Sequence, residues 1–396
     1  VGGSGRPGSR ARRARRRGEM CIRASMRIVG PGRGTGGWRV RILYGVVGEG
    51  MGHATRSRAI IERLIERHDV EVMASGRARA YLARTVEVRD VWGLTLSYDD
   101  NAVRRWATVA QNLTGAMSGW PRNVRECLRA AEDFAPEVVV TDFESLSHLY
   151  GRLHGLPVIS LDNIQAIDRL EHPPEIIAGH HADFRVAQGI VRMKVPGCAE
   201  YLITSFFTPP TRKPDTTLVP PILRPQIVTA LPEPAEHLLV YSTAEGGPDL
   251  AAALGPSGIE CRVYGVRRSI TGEEVEGNLR YRPFSEEGFI EDLRTARGVV
   301  AGGGFTLMSE CVGLRRPMLS VPVGGQFEQV MNARYLERMG YGLARDTLTA
   351  EAVDDFLEGL PGFAATLEER PPDDPDGAVT ALEAALARAG GGTAGA

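Results

Sequence analysis

The chain of 396 residues carries 47 Lys and Arg against 49 Asp and Glu, a formal charge of −2. The balance is uneven: residues 1–40 hold eleven Arg and one acid, Glu19, which leaves 36 basic and 48 acidic side chains, a net −12, in the rest. So acidic a body lacks the basic face that nucleic acid demands, and its length exceeds what one hydrophobic core usually organises, so two domains are expected.

Residues 1–39 are Gly/Arg-rich and too poor in apolar side chains to fold, so a disordered tail is expected there. The favoured reading is upstream sequence ahead of an internal start at Met26, with a basic arm or a transit peptide as alternatives. The five cysteines (Cys21, Cys127, Cys198, Cys261, Cys311) are scattered without a CxxC or Cys/His cluster. That suits reduced thiols in a cytoplasmic protein and argues against a zinc site. No apolar run reaches the roughly 18–20 residues that span a bilayer. The expected location is the cytoplasm, with peripheral contact at the inner membrane face kept open.

Order begins at Val40. Arg41–Val47 is an apolar run of strand length, followed by Gly48-Glu49-Gly50-Met51-Gly52-His53, a helix over Ala54–Arg67 and a strand at Val70–Met73. Strand, glycine loop, helix and strand form a βαβ unit with a parallel sheet. The rhythm continues with a helix over Arg122–Phe134, a strand at Val138–Val140 ending at Thr141-Asp142, a short helix over Leu149–Leu153 and a strand at Pro157–Leu161. Eight prolines in the 26 residues Pro209–Pro234 mark a domain connection, set at 216–235.

A second series follows: strands at Leu238–Tyr241, Glu260–Val266, Gly298–Ala301 and Pro317–Val321, with helices over Phe289–Ala296 and Phe305–Val312. A last helix is read at Ala378–Ala389. The expected architecture is α/β, two doubly wound Rossmann-like domains facing a central cleft. Their spans are 40–215 and 236–365, with 366–396 as a C-terminal helix and tail.

The chemistry concentrates in 299–342. Gly302, Gly303 and Gly304 stand where a strand becomes a helix, so backbone amides can approach an anion, and the helix dipole favours a diphosphate. Six residues on, Glu310 can accept both hydroxyls of a ribose. Gln326, Glu328, Gln329 and Asn332 then offer the donors and acceptors that sugar hydroxyls need. Taken singly, the glycines are equally a tight turn, Glu310 a solvated helix position, and the Gln/Glu cluster plain surface. Their order along one sheet is what joins them.

This segment resembles the donor-binding signature of GT-B glycosyltransferases. Versions of it occur in the bacterial enzyme that adds N-acetylglucosamine to the lipid-linked peptidoglycan precursor and in plant glucosyltransferases of secondary metabolism. The resemblance implies that Glu310 binds ribose, Glu328 and Gln329 hold the sugar hydroxyls, Asn332 completes that motif, and Gly303 and Gly304 meet the diphosphate. It further places Phe284 at the base, Ser242 and Thr243 at phosphate, and Arg224 between the domains facing the diphosphate. Where the plant signature has a His and an Asn, this chain has Gly302 and Thr306. The diphosphate is then expected on backbone amides around Phe305 and on the Thr306 hydroxyl, closer to the bacterial pattern.

The first loop lacks the spacing of a dinucleotide fingerprint, since its glycines fall at Gly48, Gly50 and Gly52. The resemblance makes this the acceptor side and His53 the general base, with Asp142 orienting it; imidazole suits the task because it titrates near neutral pH. The alternatives are that His53 caps a helix and that Asp142 caps the next one. The phrases Gly48–Ser57, Ala74–Ala78 and Leu161–Gln165 resemble a less characterised prokaryotic branch of the same superfamily.

The reaction implied is hexosyl transfer from a nucleotide-sugar, a UDP-sugar by the resemblance, to an acceptor hydroxyl with inversion and without metal or other cofactor. The acceptor class stays open among small molecules, lipid-linked intermediates and polysaccharide precursors. Other readings are a nucleotide-sugar 2-epimerase or hydrolase of the same fold, or a non-catalytic nucleotide-sugar binder. Trp92, Trp106 and Trp120 read as an acceptor wall or as core. The stretch Gln188–Phe207 mixes Arg192 and Lys194 with apolar residues, and the resemblance to membrane-acting relatives makes it a candidate lipid contact.

Overall fold

The structure, a computed structural model, describes residues 38–48, 50–91, 129–233, 235–242 and 249–391. Glu49, Thr243, the three tryptophans above, the start of the helix expected at Arg122 and the N-terminal tail lie outside the described residues.

Seven parallel strands build the first sheet: β1 (Arg41–Val46), β2 (Asp69–Ala74), β3 (Val88–Asp90), β4 (Val138–Asp142), β5 (Val158–Asp162), β6 (Glu200–Thr204) and β7 (Thr216–Val219). Their spatial order is β3-β2-β1-β4-β5-β6-β7. The second sheet has β8 (Leu238–Tyr241), β9 (Cys261–Tyr264), β10 (Glu274–Glu276), β11 (Leu279–Tyr281), β12 (Gly298–Ala301), β13 (Met318–Ser320) and β14 (Gly342–Ala344). Its order is β10-β11-β9-β8-β12-β13-β14, parallel except for the β10–β11 pair.

Each central strand is apolar on both faces, as a covered parallel sheet requires. In β1, Ile42 and Tyr44 pack into one cluster and Leu43 into another; in β12, Val300 and Val299 divide the same way. The outer cluster of the first sheet is closed by Ile60, Ile61 and Leu64 of the helix Met51–Leu64, and by Leu382 and Leu386 of the helix Gly377–Gly391. The C-terminal helix thus returns to the first lobe, tied by Arg388 to Glu200 (2.7 Å) and by Glu383 to His68 (2.8 Å).

One expected boundary is corrected. The connection set at 216–235 begins with β7, an edge strand whose flanking prolines Pro214 and Pro220 donate to no neighbour. The strand β6 and the helices His181–Lys194, Phe327–Arg338 and Ala350–Glu369 were not among the expected elements.

The lobes do not merely face each other. One buried apolar cluster runs from Leu43 and Val139 of the first sheet to Leu239 and Val299 of the second. At its middle Phe207 stacks on Tyr335 (ring centroids 4.0 Å apart, 5° between planes) and Phe206 on Phe305 (5.8 Å, 12°). The Tyr335 hydroxyl reaches Nδ1 of His172 (2.9 Å), while Nε2 of that ring faces the Ala166 carbonyl (3.0 Å). Phe207→Ala is expected to lower stability by about 3–5 kcal/mol, the range for emptying a buried aromatic site. Urea unfolding checks this, and a loss below about 1 kcal/mol would put the ring outside the core.

Candidate active site

In both sheets the strand order reverses between the two central strands, β1 and β4 in one, β8 and β12 in the other. Ligands of open α/β sheets sit beyond the carboxyl ends of strands at such a switch point. The loop after β1 carries Gly48, Gly50 and Gly52 into the helix Met51–Leu64, which puts His53 in its first turn. Asp142 is the last residue of β4, and the chain leaves it sharply through Phe143, whose φ of 57° is left-handed backbone. Such a conformation costs about 1–3 kcal/mol and persists only where its surroundings enforce it.

Nδ1 of His53 lies 2.8 Å from Oδ1 of Asp142, whose side chain is 0% exposed. Two neighbours absent from the sequence reading complete the cluster. Arg56 donates from Nε to Asp142 Oδ2 (2.9 Å) and from Nη2 to Oδ1, and its Nη2 stands 2.7 Å from His53 Nδ1. Ser57 donates its hydroxyl to Oδ2 (2.8 Å). The signal was present in the spacing: His53, Arg56 and Ser57 fall at i, i+3 and i+4, one face of a helix. Burial pushes the Asp142 carboxyl up, but Arg56 and then His53 more than offset it and hold it well below the usual carboxylate range.

Gly52 is where the lobes touch: its carbonyl accepts the Thr306 hydroxyl (3.1 Å), and a Cβ there would come 2.8 Å from Thr306 Oγ1. The hydroxyl expected at a diphosphate is therefore spent on the opposite lobe. Phe305, expected beside it, is buried in the stack with Phe206.

The glycine turn is also held differently from the expectation. Gln329 Oε1 accepts the amides of Gly303 (3.0 Å) and Val323 (3.1 Å), and its Nε2 donates to Gln326 Oε1 (2.6 Å). Asn332, fully buried, donates Nδ2 to the Gly303 carbonyl (3.1 Å). A Cβ at Gly303 would sit 2.3 Å from the Gln329 carbonyl, so only glycine lets helix Phe327–Arg338 pack this close. Gln326, Gln329 and Asn332 thus brace the turn, and the Gly303 amide is paired. What stays open is exposed Gly304, with nothing near a Cβ built on it, and the start of helix Phe305–Gly313, which has no side-chain cap.

Glu310 is already partnered in the free protein. Its carboxylate is 2% exposed and both oxygens are taken by Arg224, from Nε (2.6 Å) and Nη2 (2.7 Å). Burial pushes the Glu310 carboxyl up, with Arg224 pulling against it. Arg224, expected to face the diphosphate, also lies 3.5 Å from Glu286, which accepts the Tyr81 hydroxyl of the first lobe (2.8 Å).

Glu328 takes the opposite position. It sits in the first turn of helix Phe327–Arg338, partly exposed, and close enough to His53 and Arg56 to feel both charges; burial pushes its carboxyl up despite them. It is the carboxylate of the second lobe that comes within electrostatic reach of His53. Ser242 follows β8, whose Tyr241 pairs with Ala301 beside the turn, and Phe284 is 64% exposed after β11.

Residues 40–361 match the family model described as glycosyl transferase family 1. The chain belongs to that family. A glycosyltransferase of Methanosarcina mazei, itself uncharacterised, is 24% identical over 341 residues, 76% of this chain and 85% of the relative. Among solved structures, the glycotransferase of kitacinnamycin superposes with a TM-score of 0.65 at 17% identity, covering 89% of this chain and 100% of the other. The spinosyn rhamnosyltransferase SpnG, complexed with thymidine diphosphate, does so with 0.60 at 19%, covering 87% and 100%. The two-lobed GT-B fold of this glycosyltransferase is the one these structures share.

Because Arg56 is only 4% exposed, Asp142→Asn strands a buried cation, and a loss of about 3–5 kcal/mol at pH 7 is expected. A folded pKa below the unfolded one gives stability that is present above about pH 4 and fades as pH falls toward the folded value. The gap between wild type and Asp142→Asn in urea unfolding should therefore narrow at pH 3. An equal gap at both values would refute the ionised carboxylate.

Proposed function

We propose that this glycosyltransferase moves a hexosyl group from a nucleoside-diphosphate sugar to an acceptor hydroxyl by single displacement, with inversion. The observation that carries it is the Asp142–His53 contact at the switch point of one sheet, opposed by Glu328 and the glycine turn at the switch point of the other. With Nδ1–H given to Asp142, the Nε2 lone pair of His53 is left to take the acceptor proton. The acceptor oxygen then bonds to the anomeric carbon as the bond to the diphosphate oxygen breaks, its electrons leaving with the nucleoside diphosphate. One displacement inverts that carbon.

The uncapped start of helix Phe305–Gly313 at Gly304 meets the developing negative charge without a metal in this reading. Glu328 accepts from sugar hydroxyls and sets the anomeric carbon near His53. Ribose recognition by Glu310 requires Arg224 to release it, so donor entry and opening of that pair are one event. Uridine is the base proposed from the sequence resemblance; SpnG, solved with thymidine diphosphate, makes thymidine the competitor.

A thermal-shift panel of UDP- and TDP-sugars, with and without Mg²⁺, tests the donor. Stabilisation of about 2.7 kcal/mol is expected with ligand at a hundred times its Kd, equally with and without the cation. His53→Ala is expected to lower turnover about 10²–10⁴-fold with donor affinity unchanged by calorimetry. Full turnover in that variant would remove His53 as base.

A further inference from the structure

The His53–Asp142 pair does not stand alone, and the third member is a cation. We propose that Arg56 is a positioning residue for His53: its buried guanidinium fixes both oxygens of Asp142 opposite the ring and, standing at Nδ1, drives the ring back to its proton-free form after each transfer. The proposal deepens the reading of His53 as base and rests on it.

The hydrogen-bond inventory carries the first half. Arg56 offers only donors, and both of its contacts with Asp142 use them: Nε to Oδ2, Nη2 to Oδ1. Ser57 fills the remaining site on Oδ2. The carboxylate cannot turn without breaking these bonds, so Oδ1 stays facing Nδ1 at 2.8 Å. Nη2 and Nδ1–H then donate into one oxygen, and the 2.7 Å between them is two donors side by side. An ionised Oδ1 only accepts, so its 2.8 Å contact needs the ring hydrogen on Nδ1 and the lone pair on Nε2; a hydrogen on Nε2 would instead let Nδ1 accept from Nη2, which is the outcome the ring signals separate.

Charge carries the second half. The groups that act on His53 are Arg56 on its own helix, Asp142 at the end of β4 and Glu328 across the cleft, and the Arg56–Asp142 pair in turn feels Asp162 at the end of β5 and Tyr44 on β1. Burial pushes Tyr44, Asp162 and Glu328 toward their protonated forms. Arg56 and Asp142 are the ion pair in contact with the ring, and the cation opposes the gain that the carboxylate alone would give an imidazolium. A bare Asp–His pair would reward the imidazolium; here each proton taken by Nε2 adds a cation beside one already 2.7 Å away. The proton passes on to solvent, and the base is ready for the next acceptor.

The test reads the ring in the free protein, so it needs no acceptor and can fail while the transferase reading stands. Histidine labelled with ¹⁵N gives ring signals across pH, and the His53 set is the one missing from His53→Ala. In Arg56→Gln the midpoint of the His53 signals is expected to rise by about 1–3 pH units, the scale of removing one cation at contact distance. Arg56→Lys keeps charge without the fork, so its midpoint should stay near wild type while Nδ1–H protection from solvent falls. If Arg56→Gln does not fold, Arg56→Gln/Asp142→Asn is compared with Asp142→Asn, and the same upward shift is expected. An unmoved midpoint in a folded variant, or a wild-type ring with its hydrogen on Nε2, overturns the proposal.

Discussion

The Asp142 carboxylate is the point on which both lobes depend. It ends a central strand, lies wholly out of water, and is bound by His53, Arg56 and Ser57, three residues of one helix. A buried charge of this kind is tolerated only when every oxygen is satisfied. Here that requirement docks the helix on the sheet in one register. Position of the imidazole and stability of the first βαβ unit are therefore the same interaction seen twice.

From that anchor the second lobe is placed by contact. The helix that carries His53 also carries Gly52, and the Thr306 hydroxyl binds its carbonyl. On the other side the Phe206–Phe305 and Phe207–Tyr335 stacks fuse the lobes into one apolar cluster. A packed core is bistable at best and resists continuous deformation. On the side of Arg224, Glu286 and Tyr81 the contacts between the lobes are polar instead.

The alternation of strand, glycine turn and helix was legible in the chain, because period and punctuation are local properties. His53 and Asp142 were legible as candidates because each ends or follows an apolar run. What the chain does not display is the direction in which a side chain faces. Gln329 and Asn332 have the chemistry of sugar ligands, yet the absent Cβ of Gly303 draws their helix against the turn and uses their amides there. Glu310 and Arg224 were each read as donor contacts, and only the fold shows that they bind each other. The return of helix Gly377–Gly391 to the first lobe is likewise invisible in its pattern, since an apolar stripe states that it is buried and not against what.

The charge pattern that results constrains the chemistry. Two buried arginines are already committed, Arg56 to Asp142 and Arg224 to Glu310. In the proposed transfer a departing diphosphate adds at least one negative charge to a cleft where burial pushes the Glu328 and Asp162 carboxyls up. Were those two carboxyls ionised, they would repel the leaving group at short range. Burial lessens that cost by favouring their neutral forms, and the dipole of helix Phe305–Gly313 is the field in place before substrate arrives, with Arg224 available only by exchange. For the proposed displacement, a site built this way favours charge that appears late, on the leaving oxygen, over charge brought in with the donor.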